Sequence, residues 1–252
     1  PLQLVPNTTL SHCGVCDGTA DVVVSGGTGP YFIQWLQGSS IIGTGPAITG
    51  LCAGLYDVVI TDANACTLQA IVAISDEDGE QTTMTNGLTT CPGDCDGEVS
   101  VAFVCSNAPC SVAWFDGVGN DLNEPGDVLS NLCAGLYLVQ VTNGIGCITI
   151  DTAFVTEPDP IVPNLSTTPV SCFGACNGIA TIGPTGGQPP YDIVWDPAPP
   201  IGQGTPQAEG LCAGNYTATI GDAAGCSIVV DVLILEPAAL TATATLVPVT
   251  CN

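Results

Sequence analysis

Apolar residues along this chain alternate with polar ones at a period of two or gather in short β-branched stretches. In the first third these are Val22-Val23-Val24, Tyr31 to Leu36, Tyr56 to Thr61 and Thr67 to Ile74. Alternation turns one face of a strand to a core and the other to water, whereas a helix needs apolar positions three and four apart. No stretch sustains the helical period. Clusters of Gly, Asn and Asp punctuate the runs, and six or seven short strands in roughly 80 residues describe a small antiparallel sandwich.

The pattern occurs three times. Aligned on cysteine, the copies open with Cys13-Gly-Val-Cys16-Asp-Gly, Cys91-Pro-Gly-Asp-Cys95-Asp-Gly and Cys172-Phe-Gly-Ala-Cys176-Asn-Gly. Each leads to a Trp (Trp35, Trp114, Trp195), then to Leu-Cys-Ala-Gly-x-Tyr ending at Tyr56, Tyr137 or Tyr216, and closes on Cys66, Cys147 or Cys226. The opening cysteines, counting Cys251, recur at intervals of 78, 81 and 79 residues. The expected organisation is therefore repeat 1 over 1–76, repeat 2 over 77–157, repeat 3 over 158–236 and the start of a fourth at 237–252. The segment reads as an excerpt of a longer array, with export signal and anchor expected outside it.

The turns carry their own chemistry. Asp17-Gly18, Asp96-Gly97 and Asn177-Gly178 are expected to supply positive φ before the second strand, and Ser25-Gly-Gly-Thr-Gly-Pro30 and Gly186-Gly187-Gln-Pro-Pro190 to connect the second and third strands. Repeat 2 lacks that glycine-rich tip. Cys105 and Cys110 flank a shorter loop there, read as a hairpin-tip disulfide. Leu-Cys-Ala-Gly-x-Tyr is expected to form the corner before the sixth strand, its Tyr hydroxyl bonding back to the turn, and the single Trp of each copy to fill the core. Asp62 and Asp222 read as turn formers, as do Asp17 and Asp96.

Composition narrows the function classes. The chain has no Lys or Arg, 24 Asp and Glu, one His and 15 Cys, for a formal charge of -24. That excludes nucleic acid bound through counterion release and anionic membrane bound through basic residues. Ion pairs between basic and acidic side chains cannot hold the fold. With no Lys or Arg to depress thiol pKa values, so many cysteines point to disulfides made in an oxidising, extracellular compartment.

The ordered motifs Cys-x-Gly-x-Cys-Asp-Gly, Ser-Gly-Gly-Thr-Gly-Pro-Tyr, Trp, Leu-Cys-Ala-Gly-x-Tyr, Thr-Asp-Ala-Asn-x-Cys and Glu-Pro resemble the SprB repeat, found in tandem arrays in surface adhesins of gliding and filament-bearing Bacteroidota. Repeat 2 fits least. The resemblance implies an all-β chain of tandem immunoglobulin-like antiparallel β-sandwiches, disulfide-stapled, exported often by the type IX system and displayed at the cell surface. It implies no catalytic residues.

Four cysteines allow three pairings, and spacing does not choose among them. Similar repeats often keep only the first and last cysteine. The resemblance thus implies Cys13–Cys66 with Cys16–Cys52, Cys91–Cys147 with Cys95–Cys133, and Cys172–Cys226 with Cys176–Cys212, leaving Cys105–Cys110 as the tip bridge and Cys251 with a partner outside the segment. A four-thiolate zinc site is the competing reading of Cys13-x-x-Cys16, but a second knuckle is missing. Redox chemistry there would need a following helix.

Further candidates are weaker. Asp76-Glu77-Asp78-Gly79-Glu80 at the first junction offers clustered carboxylates, and Asp76, Asp78 and Glu80 form a candidate calcium site, set against a solvated acidic hinge. No other cofactor is expected. His12 has no counterpart in the other copies and reads as a surface residue. Nucleophile–base catalysis lacks partners for it, and no carboxylate pair recurs with the repeat, so no enzyme is expected. Asn7, Asn164 and Asn215 lie in N-glycosylation-type triplets, and Asp151-Thr152-Ala153 fits a short O-glycosylation pattern. The expected role is a structural, adhesive filament or stalk. Its expected partners are neighbouring repeats, other copies of the chain in a fibre, and surface glycans. A glycan-binding array using the loops Gly38 to Gly45 or Asp116 to Asp127 is the alternative, and an inert spacer the third.

Overall fold

The protein is described here by a computed structural model covering residues 1–243. Residues 244–252, where Cys251 would open a fourth repeat, lie outside the described residues. Every regular element is a strand, so no helix of the described residues is long and apolar enough to cross a membrane.

Repeat 1 contains β1 (Gln3–Thr9), β2 (Gly18–Ser25), β3 (Phe32–Gln37), β4 (Ser40–Thr44), β5 (Ala47–Leu51), β6 (Gly54–Thr61) and β7 (Thr67–Ile74). One sheet runs β1-β2-β5 and the other β4-β3-β6-β7, all neighbours antiparallel. This is the immunoglobulin-like sandwich order. Part of the Gly38 to Gly45 loop is thus strand β4.

Repeat 2 contains β8 (Thr82–Thr85), β9 (Gly87–Leu88), β10 (Gly97–Phe103), β11 (Ser111–Asp116), β12 (Val128–Leu132), β13 (Gly135–Thr142) and β14 (Ile148–Thr156). Its sheets are β12-β10-β8 and β11-β13-β14-β9, with β9 parallel to β14. Repeat 3 contains β15 (Leu165–Thr168), β16 (Gly178–Ile182), β17 (Asp192–Asp196), β18 (Gln207–Leu211), β19 (Gly214–Gly221) and β20 (Ser227–Ile234), in sheets β15-β16-β18 and β17-β19-β20.

Alternation sets the cores. In β6, Tyr56, Val58 and Ile60 point inward, each at 2% exposure or less, against Trp35 of β3 and Val72 and Ile74 of β7. Trp35, Trp114 and Trp195 are buried, and each indole donates Nε1–H to a backbone carbonyl, of Gly45, Gly126 and Thr205 respectively, at 2.8–2.9 Å. A buried indole needs that acceptor. Tyr56, Tyr137 and Tyr216 donate their hydroxyls to the carbonyls of Cys52, Cys133 and Cys212, at 2.9, 3.0 and 3.2 Å, closing the corner between the fifth and sixth strands of the repeat pattern.

The Asp-Gly and Asn-Gly pairs need correction. None of Gly18, Gly97 and Gly178 has positive φ. Glycine is there for space: an added Cβ would lie 2.9, 2.5 and 2.7 Å from Ile74, Val155 and Ile234, and within about 3 Å of a carbonyl of the fifth-strand position. Positive φ is needed instead one residue before each Leu-Cys, at Gly50, Asn131 and Gly210, two residue types that tolerate the left-handed region.

The chain forms two compact units. One comprises Pro1–Thr89 and Gly93–Glu157, holding the first two sandwiches together; the other comprises Thr90–Pro92 and the chain from Pro158 on. Repeats 1 and 2 thus fall in one unit, within which Cys13 of repeat 1 is bonded to Cys147 of repeat 2.

Candidate functional site

The turn before each closing cysteine is built the same way three times. Asp62 Oδ1 accepts the backbone N–H of Asn64 and Cys66 while Asp62 N–H donates to Cys66 O; Asp222 does the same with Ala224 and Cys226, and Asn143 with Ile145 and Cys147. The other oxygen reaches the glycine loop in repeats 1 and 3, where Asp62 Oδ2 accepts Thr28 N–H and Asp222 Oδ2 accepts Gln188 N–H, at 3.0 and 2.9 Å. These donated bonds hold both carboxyls below their usual pKa, led by the N–H of Cys66 for Asp62 and of Gln188 for Asp222.

The opening cysteines also share a frame. Ser11, Thr89 and Val170, each two residues before the opening cysteine, donate N–H to the carbonyl of Ser75, Thr156 and Leu235, at the end of the last strand of their own repeat or one residue past it. Asp17 then accepts the N–H of His12, and Asn177 that of Ser171.

These two frames meet across repeats. Cys13 is bonded to Cys147 and Cys91 to Cys226, with Cα–Cα separations of 5.0 and 5.5 Å and sequence separations of 134 and 135. The expected pairs Cys13–Cys66, Cys91–Cys147 and Cys172–Cys226 are therefore not formed: the opening cysteine of one repeat takes the closing cysteine of the next. Cys66 and Cys172 are free thiols, both exposed. Cys16–Cys52, Cys95–Cys133, Cys176–Cys212 and Cys105–Cys110 are bonded within their repeats. Cys13 and Cys16 thus point to different partners, which leaves no four-thiolate cluster.

Around Cys13–Cys147 the two sandwiches of the first unit share a polar seam. Asp76 N–H donates to Ile148 O at 2.7 Å and Asp76 Oδ2 accepts Ile148 N–H at 2.8 Å, while Ser75 Oγ accepts Ile150 N–H at 2.9 Å. The chain leaving β7 therefore docks along the edge of β14. Gly79 lies so close that an added Cβ would sit 2.2 Å from Thr149 Oγ1. Glu80, only 4% exposed, accepts the Ser106 hydroxyl at 2.7 Å, the Ser106 N–H and, at 3.3 Å, Asn143 Nδ2. Chiefly through the Ser106 hydroxyl, its carboxyl sits below its usual pKa.

The candidate calcium ligands diverge. Asp76 serves β14, Glu80 serves Ser106 and Asn143, and Asp78 is exposed. Among the described residues no three His, Cys, Asp or Glu side chains are grouped to hold a metal ion. His12 is exposed as expected but not idle: Nδ1 lies 2.7 Å from Asp17 and Nε2 3.3 Å from Glu77, and the bond to Asp17 leads in raising its pKa.

Ser75, Ser106 and Asn143 were not legible as junction residues from motif alone. One signal was present: Asn143 stands where repeats 1 and 3 have Asp62 and Asp222. An amide suits repeat 2 because the glycine loop is gone and the facing group is the Glu80 carboxylate, which needs a donor.

The SprB repeat family model matches residues 12–40 and 164–199. Repeat 2, without the glycine loop, lies outside the match. Among solved structures the chain is similar to titin domains I67–I69, an E-to-A mutated variant, at 14% identity and a TM-score of 0.29, covering 92% of this chain and 99% of that one. It is similar to the N-terminal eight Ig domains of Down syndrome cell adhesion molecule at 10% identity and 0.31, covering 94% and 43%. The insect immune protein hemolin gives 12% identity and 0.30, covering 94% and 73%. No curated protein matches the chain. At such identities likeness concerns the fold alone, which rests on the strand order and pairing given above. Residues 12–40 and 164–199 match the SprB repeat model and lie on disulfide-bonded, immunoglobulin-like β-sandwiches.

Proposed function

We propose that the chain is a load-bearing segment of an extracellular surface filament or stalk with an adhesive or structural role. The observation that carries this reading is the bond from Cys13 of repeat 1 to Cys147 of repeat 2. A bond inside one sandwich protects that sandwich, whereas one that reaches the next repeat carries tension past the junction. From Pro1 the shortest covalent route crosses Cys13–Cys147, returns to Cys133, crosses to Cys95, returns to Cys91 and crosses to Cys226. Of the backbone between residues 1 and 236, roughly a sixth can be drawn out at about 3.5 Å per residue before a disulfide must break.

Single-molecule pulling tests the reading. Pulled between residues 1 and 236, the oxidised chain should show a total extension about sixfold shorter than the reduced chain; equal extensions would sink it. The oxidising compartment that these bonds require supports surface display.

The seam is read as held by hydrogen bonds and the disulfide rather than by calcium, so melting should not shift when a chelator replaces added calcium. Glycan capture is the alternative role. The three Trp are core residues and cannot stack on a sugar, so this role would fall to the loops, and binding by the oxidised chain on a glycan array would support it.

A further inference from the structure

We infer that Cys66 and Cys172 are the two open ends of a disulfide ladder, each built to bond the complementary cysteine of another repeat of this type. The inference does not rest on the filament reading; a chain that bears no load could be linked this way.

Two observations beyond the free thiols carry it. The turn that presents Cys66 reproduces the turns presenting bonded Cys147 and Cys226: the Asp62 carboxylate accepts its N–H at 2.9 Å, and a positive-φ residue precedes it, Ala65 at 62° against Gly146 at 91° and Gly225 at 92°. The segment that presents Cys172 reproduces those presenting bonded Cys13 and Cys91. Val170 N–H donates to Leu235 O as Ser11 N–H does to Ser75 O, and Glu236 accepts Gly174 N–H at 3.1 Å as Glu157 accepts Gly93 N–H at 3.0 Å.

Direction follows from the bonds already made. An opening cysteine always takes the closing cysteine of the repeat after it. Cys172 therefore takes a closing cysteine and Cys66 an opening one; neither takes its own kind. The partner repeat comes from a second copy of the chain, head to tail, or from the same chain continued by a further repeat. Bond formation removes one proton from each thiol and passes two electrons to a small-molecule disulfide, reduced in turn to two thiols.

The test uses the full chain with Cys251→Ser throughout, in oxidised and reduced glutathione. Cys66→Ser and Cys172→Ser variants are incubated separately and mixed, and the products digested with pepsin, since the chain offers trypsin no site. In a further arm the chain is extended after Glu236 by a second copy of 158–236. Expected are a heterodimer in the mixture, at least about tenfold over either homodimer, with Cys172 of one variant linked to Cys66 of the other. In the extended monomer, Cys172 should be linked to the added counterpart of Cys226. Linkage in the mixture assigns a second copy as a source, and linkage in the extended monomer assigns chain continuity. Free thiols persisting in both arms, homodimers at equal yield, or a Cys66–Cys172 bond within one chain would each overturn the proposal. So would peptides joining Cys13 to Cys66.

Discussion

At the scale of single residues, the repeat spends its polar side chains on closing turns. Tyr137→Phe removes one hydroxyl bond to Cys133 O, and thermal melting should report a loss of about 1 kcal/mol. Asn131 sits at φ 59°; Asn131→Val should cost about 1–2 kcal/mol, while Asn131→Gly should be nearly neutral.

Charge state can be read the same way. The Asp62 carboxyl is held below its usual pKa, so its contribution is present above the unfolded value near 4 and fades as pH falls through the folded one. Asp62→Asn should therefore lower Tm at pH 7, where an amide cannot reproduce the bond from Thr28 N–H, and the gap to the parent should close in strong acid. His12 runs the other way. With its pKa raised by Asp17 and Glu77, its contribution is complete below about 6.5 and is lost as pH rises through the folded value. His12→Gln should lower Tm at pH 5 and leave it unchanged at pH 9.

At the scale of elements, the edge of β14 and the acidic run behind β7 form one structure. Asn143→Asp would set a second carboxylate against Glu80, and the expected drop in Tm should be recovered by adding Glu80→Gln, which restores a donor and an acceptor. Replacing Cys13 and Cys147 together by Ser opens a loop of sequence separation 134, whose closure contributes at most about 5 kcal/mol in the chain-entropy model. The first two sandwiches should then melt in two calorimetric steps instead of one.

Much of the element layout was legible because it is local. Thr67 to Ile74 is a strand from end to end, and Trp35 and Tyr56 answer to signals within one repeat; the bond Cys16–Cys52 was implied only by the family resemblance. The offset of Cys13 was not legible. Cys66 and Cys147 sit in the same motif, so a pattern that repeats every 80 residues or so cannot say which copy a cysteine meets. The Asp-Gly motifs misled for a related reason: a glycine chosen for lack of a Cβ and one chosen for positive φ read alike in a sequence.

At the scale of the whole molecule, the charge of -24 has no basic side chain to balance it. Unpaired carboxylates repel, and about 1 M salt shrinks their reach to about 3 Å. Raising sodium chloride from about 0.01 M should therefore raise Tm and favour self-association in sedimentation, most steeply at low ionic strength.

The one-repeat offset of the bonds from Cys13 and Cys91 bears on how such a gene could grow. A whole repeat inserted within the series brings one opening and one closing cysteine, and the existing bonds re-form around it. Duplication or deletion of internal units would change the length of the product without stranding a thiol in the interior, so copy number is free to vary.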